Sequence, residues 1–340
     1  MQTLTEAAAD PANHAYQAYN GIPELRRAFA DWYRTWFGVS LDPADEVLPL
    51  MGSKEGIMHL SMAFLDPGDE VLFPDPGYPT YRAVTELAGG TARPYPLSAA
   101  SGWHPDLAAL EAEGVDRVKL MWVNYPHMPT GTAADPRRLA EIVDFARRNG
   151  ILLVNDNPYA FLLTERPVSI LSVPGAAGVA LELNSLSKAH NMAGWRVGAL
   201  LGDAAILKIV LRFKSNMDSG MFKPIQLAAA RALGLGPDWY AAQNDAYRAR
   251  RAVAYKLFDQ LGISYSTDQV GLFVWGGVPE EFTDGYALTD LILDRTGVFI
   301  TPGGIFGPAG EHFVRISLCS PPDVLAAALE KTAALTLIPK

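Results

Sequence analysis

A chain of 340 residues that is 49% hydrophobic and 19% charged can bury a large core, as one big domain or two lobes, and is not compositionally disordered. Its formal net charge of −9 argues against broad binding of nucleic acid or of an anionic membrane, but not against a small anionic ligand held by local groups. The single cysteine, Cys319, excludes an internal disulfide framework and fits a reducing compartment.

The first residues, MQTLTEAAADPANHAYQAYNG, lack the basic stretch and apolar core of a signal peptide, and no apolar run is long enough to span a bilayer. The expectation is a soluble cytoplasmic protein with neither nucleic acid nor membrane as partner. Residues 22–37 place Ile22, Leu25, Phe29, Trp32 and Trp36 at helical spacing, with Pro23 suited to a first turn and Gly38 to a stop. Gly52-Ser53 opens a second helix with Ile57, Leu60 and Phe64 on one face. DPGDEVLF (66–73) reads as a turn and a short buried strand, and YPTYRAVTELAGG (78–90) as a helix ended by two glycines. RVKLMWVN (117–124) reads as a buried strand. DPRRLAEIVDFARRNG (135–150) carries an N-cap aspartate, a first-turn proline and a terminal Asn-Gly. ILLVN (151–155), VALELN (179–184) and VGALLG (197–202) are further strands. Strands alternating with helices predict an α/β domain with a largely parallel sheet. After about residue 236 a long helix, strands at 270–276 and 312–318 and a helix after Pro322 predict a smaller α+β lobe.

In an open α/β sheet, ligands bind where strands end and loops begin. Asp156 follows one strand; Ser185, Ser187 and Lys188 follow another, in the segment NSLSKAHNMAGWRVG (184–198). A lysine in a Ser-rich turn after a buried strand can be partly desolvated, and desolvation favours Schiff-base chemistry. The nearby hydroxyls and Arg196 suit a phosphate. Read alone, this supports only an anion site beside a lysine, and Lys188 could equally be a solvated loop residue.

Its surroundings decide. SLSKAHNMAGWRVG (185–198) resembles the Schiff-base lysine motif of the class I/II, fold-type-I aminotransferases that use pyridoxal phosphate, with the phosphate-binding arginine eight positions after the lysine. The resemblance runs in order along the chain: HAYQAYNGIPELRRA (14–28), GSKEG (52–56), DPGYPTY (75–81), NYPHMPTGT (124–132), DNPY (156–159) and HFVRISL (312–318). It is strongest to the branch of diaminopimelate, alanine and aspartate aminotransferases.

The resemblance implies a large domain at 38–235, with a mostly parallel sheet between helices and the cofactor on it. It implies a small α+β domain at 236–340, and an N-terminal segment at 1–37 shared between small domain and dimer contact. Lys188 would carry pyridoxal phosphate and act as general base once substrate displaces it. Asp156 would keep the pyridine nitrogen protonated, so that the ring draws electrons from the substrate's Cα. Tyr159 would hydrogen-bond the cofactor's phenolic oxygen, and Tyr78 would stack on the ring. Ser53 and Lys54 at a helix start, with Ser185 and Arg196, would hold the phosphate. Arg315, a charge inside the apolar run 313–316, would grip the substrate carboxylate; the other reading is a buried ion pair. Tyr16 would reach the phosphate of a neighbouring subunit, which implies a homodimer. No metal is implied.

Two departures stand out. Where the family has Asn before P-T-G, this chain has Met128, whose thioether is a poor substitute for an amide donor. An altered titration of the Schiff base and slower turnover are expected, unless His127 compensates. Family members also carry several dozen residues before the counterpart of Tyr16, so weaker closure over substrate and exposed apolar surface are expected. The implied reaction is ping-pong transamination between an amino acid and a 2-oxo acid. The alternatives are a C–S lyase on the same fold and a non-catalytic ligand-binding protein.

Overall fold

The structure is a computed structural model in which residues 1–335 are described. In chain order the helices and strands begin with α1 (Gln2–Ala9), α2 (Pro23–Phe37), β1 (Val47–Leu50), α3 (Ser53–Phe64), β2 (Glu70–Asp75), α4 (Thr80–Leu87), β3 (Thr91–Pro96), α5 (Leu107–Glu113) and β4 (Val118–Val123). They continue with α6 (Pro136–Asn149), β5 (Leu152–Asp156), β6 (Ala180–Ser185), α7 (Leu186–Ala189), β7 (Gly198–Leu201), α8 (Ala204–Lys214) and α9 (Lys223–Leu233). The last third holds α10 (Pro237–Gln260), β8 (Ser264–Tyr265), β9 (Phe273–Gly277), α11 (Gly285–Thr296), β10 (Thr301–Pro302), β11 (Phe313–Ser317) and α12 (Pro322–Thr332).

Seven strands form one sheet in the order β1-β7-β6-β5-β4-β2-β3. The pairs from β6 through β3 are parallel; β7 runs antiparallel to both β6 and β1. Side chains on a strand alternate between faces, and both faces of this sheet are apolar because both are covered. Leu120 and Trp122 of β4, Val154 of β5 and Leu183 of β6 pack with Ile57 and Leu60 of α3, Val84 of α4 and Leu207 of α8. On the opposite face Met121 and Val123 of β4 and Leu153 of β5 meet Leu139, Val143 and Phe145 of α6. This is the expected architecture of a largely parallel sheet between helix layers.

A second, antiparallel sheet has the order β10-β11-β9-β8. Val274, Val314 and Ile316 join Phe258 of α10, Leu288 and Ile292 of α11 and Leu325 of α12 in one core. In the same strands Phe273, Trp275, Phe313 and Arg315 alternate with them, and Phe313 meets Trp103 of the β3–α5 connection edge-on at 5.1 Å.

The helix expected at 22–37 is α2, with Pro23 in its first turn and Gly38 closing it at φ 66°. Its inner stripe differs in one place. Tyr33 rather than Trp36 is fully buried, and its hydroxyl donates to the buried Glu182 of β6 at 2.7 Å. The stripe packs with Ala199 and Leu201 of β7 on the large sheet and with α9, not on the small sheet. Four strands have no counterpart in the expected elements: β1, which is four residues long, β3, an edge strand with two prolines, and the two-residue strands β8 and β10. Among the described residues no helix is long and apolar enough to cross a membrane.

Candidate active site

The loops after β4, β5 and β6, the start of α3 and the inner face of β9 and β11 surround a cavity of about 390 Å³. Ser53, Lys54, Tyr78, Asp156, Tyr159, Ser185, Lys188, Arg196 and Arg315 all line it; Tyr16 alone of the singled-out residues does not, and stands 91% exposed. Local folding accounts for the placement. Asp156 is the last residue of β5. Ser185 ends β6 and accepts the N–H of Ser187, which turns the chain into α7 and sets Lys188 at the cavity.

The Asp156 carboxylate is buried. Its Oδ2 accepts the Tyr81 hydroxyl at 3.0 Å, whereas Oδ1 has no partner among the described residues. Asn124 donates to its backbone carbonyl. Burial pushes the Asp156 carboxyl up to about 6 and the Glu182 charge adds to this, while the Tyr81 hydrogen bond and the Lys188 charge oppose it. Burial also raises the Tyr159 phenol, so it stays a neutral donor. Tyr81 was not among the residues expected from sequence, although the DPGYPTY segment contains it.

At the other end, α3 begins at Ser53 with Gly52 as its cap, and Ser53 and Lys54 of this first turn line the cavity, where a helix start favours an anion. Arg196, left-handed at φ 55°, donates to Ala193 O at 2.9 Å. Its guanidinium lies so close to Gly52 that a Cβ there would fall 2.2 Å from Nη2. No carboxylate pairs with Arg196 among the described residues. Glu55 reaches back from the first turn to accept the N–H of Met51 at 2.5 Å, which ties the loop down. Beneath it Lys214, fully buried, pairs with Asp218 and lies 3.9 Å from Glu55 Oε1, with His59 Nε2 3.0 Å from the same oxygen. Glu55, His59 and Asp218 lie close enough to share a cation, and the Lys214 ammonium serves as that cation.

Arg315 projects from β11 between the rings of Phe273 (4.1 Å) and Phe306 (4.4 Å). Its Nε has no partner, and no carboxylate pairs with it among the described residues, so the buried ion-pair reading does not hold. Burial pushes its pKa down to about 10, so it is charged at neutral pH. Met128 lies beside it, held by its own N–H to Asn124 Oδ1 at 2.8 Å. The possible substitution by His127 fails. That ring is turned into the core, 2.8 Å from Thr130 Oγ1, and burial keeps it neutral by pushing it down to about 3.

These unsatisfied groups fit pyridoxal phosphate. Asp156 Oδ1 needs a donor and lies buried. The α3 start and Arg196 would hold the phosphate, the guanidinium lying against Gly52 where a Cβ would collide with it. Lys188 supplies an amine between them. Arg315 is left for a second, smaller anion.

Residues 1–331 match the family described as aminotransferase class I and II. The LL-diaminopimelate aminotransferase of Desulforudis audaxviator is 45% identical over 323 residues, covering 94% of this chain and 82% of that protein. Among solved structures, substrate-bound BacF from Bacillus subtilis superposes with a TM-score of 0.95 at 33% identity, over 99% of this chain and 86% of that one. The probable N-succinyldiaminopimelate aminotransferase of Thermus thermophilus gives 0.90 at 33% identity, over 98% and 90%.

Proposed function

The chain belongs to the aminotransferase class I and II family, and from that premise we propose that it transfers the amino group of a diaminopimelate-type amino acid to a 2-oxo acid at the Lys188 cavity. It is a pyridoxal phosphate-dependent aminotransferase. The observation that carries the proposed site is the meeting of Asp156, Lys188 with Arg196, and Arg315 around one cavity from three separate stretches of chain.

Bound pyridoxal phosphate supplies an electron sink that acidifies the substrate's Cα proton. The residues do the rest. Arg315 takes the substrate carboxylate with two parallel hydrogen bonds, and the flanking Phe273 and Phe306 rings keep water from it. Lys188 would hold the cofactor and, once its amine is free, would take up the substrate's Cα proton. Asp156 would keep the ring nitrogen protonated, and Tyr159 would donate to the phenolic oxygen. Ser53, Lys54, Ser185 and Arg196 would hold the phosphate, and Tyr78 would lie against the ring. One cavity serves both substrates in turn, so the first oxo product leaves before the second oxo acid enters.

The diaminopimelate-type donor is supported by relatives at 40–45% identity that carry that name. A homodimer is supported by the exposure of Tyr16, Tyr19, Met217 and Phe222, on segments where His14 packs edge-on against Phe222 at 5.4 Å. A cytoplasmic setting goes with the lone exposed Cys319. Neither the C–S lyase nor the non-catalytic reading is favoured by these relatives. The test is glutamate formation from LL-diaminopimelate and 2-oxoglutarate by the reconstituted protein. Turnover of that donor well above alanine or aspartate is expected. Release of pyruvate and ammonia without an oxo-acid acceptor would replace this reading with the lyase.

A further inference from the structure

The Asp156 carboxylate has two oxygens and, among the described residues, one side-chain donor: the Tyr81 hydroxyl on Oδ2. Tyr81 cannot swing away. It is fully buried, stacked on Trp122 of β4 at 5.2 Å and 9°, and met edge-on by Tyr78 at 5.7 Å and 84°. We propose that Tyr81 is a positioning residue for the electron sink, pinning Asp156 Oδ2 so that Oδ1 faces the cavity as the charged acceptor of the cofactor's ring proton. This rests on the reading that Asp156 receives the ring nitrogen.

A proton between a ring nitrogen and a carboxylate settles on whichever partner the surroundings make more basic. Four titratable groups face Asp156. Glu182, from the adjacent strand, is itself an acid and opposes the charge. Lys188 favours it, but surrenders that role whenever its amine is neutral. Tyr159 is a neutral phenol. Tyr81 is the remaining group, and its hydrogen bond is the largest influence against burial. A hydrogen bond donated to an ionised group strengthens only the charged form. Without it the proton moves from the ring to Asp156, and the ring draws less electron density from Cα. The proton count is unchanged; only its owner differs.

The experiment uses holoprotein loaded with ring-15N pyridoxal phosphate, and follows the 15N resonance against pH in wild type, Tyr81→Phe and Asp156→Asn. Wild type should sit at the protonated position, and Asp156→Asn should mark the unprotonated one. In Tyr81→Phe the ratio of protonated to unprotonated ring should fall by about tenfold, the weight of one hydrogen bond to a charged group. A protein carrying 3-fluorotyrosine at position 81, a stronger donor, should shift the ratio the other way, and serves alone if Tyr81→Phe fails to fold. A resonance and midpoint unchanged in the position-81 proteins, with Asp156→Asn displaced, would overturn the role of Tyr81. A resonance unchanged in Asp156→Asn would overturn the underlying site reading instead.

Discussion

The Arg315 guanidinium meets the sulfur of Met128 at 3.5 Å, at the position where an amide would be expected. A thioether accepts weakly and donates nothing, so in the proposed site Tyr159 would serve the cofactor's phenolic oxygen without an amide at position 128. Met128→Asn restores an amide donor. The proton shared between that oxygen and the Lys188 nitrogen should then bind less tightly. The midpoint of the visible-absorbance titration should fall by about one unit, the weight of a hydrogen bond of roughly 1 kcal/mol. A titration and a kcat that both match wild type would show that Met128 has no effect on the site.

Gly52 stands at φ 86° with Arg196 where its Cβ would lie. Gly52→Ala should drive the guanidinium out of the phosphate cradle and raise the Kd for pyridoxal phosphate by tenfold or more, on the order of one lost charge-assisted hydrogen bond. Binding of pyridoxal, which lacks the phosphate, should change much less. Fluorescence titration of the apoprotein with both compounds decides it; equal weakening of the two would place the defect elsewhere.

Burial pushes Asp156 up to about 6, whereas an unfolded aspartate releases its proton near 4. The folded apoprotein therefore keeps a proton that the unfolded chain has lost. Stability at this residue is full below about pH 4 and declines as pH rises to 6. Asp156→Asn removes the decline. Its thermal stability relative to wild-type apoprotein should grow across that window and then level off, by on the order of 2 kcal/mol. His127 and His190, pushed down by burial to about 3 and about 4, lose stability in the opposite direction as pH falls below 6.5, and cancel in the difference. A variant whose advantage shrinks between pH 4 and 6 would contradict the assignment.

Lys214 is buried against Asp218 and Glu55. Lys214→Met leaves two carboxylates without their cation and should cost about 3 kcal/mol, read as a lower denaturant midpoint. Because Glu55 ties down the loop before α3, cofactor affinity should fall as well. Loss of stability with unchanged affinity would separate this cluster from the phosphate cradle.

What is legible in the chain follows from how local the chemistry is. Asp135, Pro136 and Gly150 mark both ends of α6 because caps act within a turn. Lys188 and Asp156 stand out because strand ends carry the polar residues, and Arg315 because it is a charge in the middle of the apolar strand β11. β1, β3, β8 and β10 are not: two to four residues, or an edge with Pro94 and Pro96, give too few alternations to set a period. Nor does the helical spacing distinguish Tyr33 from Trp36, since β7 and Glu182 decide which one is buried. Tyr81 pairs with a carboxylate 75 residues away, and Lys214 with Glu55 across two helices. Such partners are set by how α4, α3 and α8 pack on the sheet, which no local pattern records.

The role of Lys188 is tested most directly by the visible spectrum of the protein with pyridoxal phosphate, before and after glutamate, beside Lys188→Ala. The expected result is a borohydride-reducible band that is absent from the variant and is shifted by glutamate to the aminated cofactor. No band in the wild-type protein, or a band that survives in Lys188→Ala and ignores every amino donor, would contradict it.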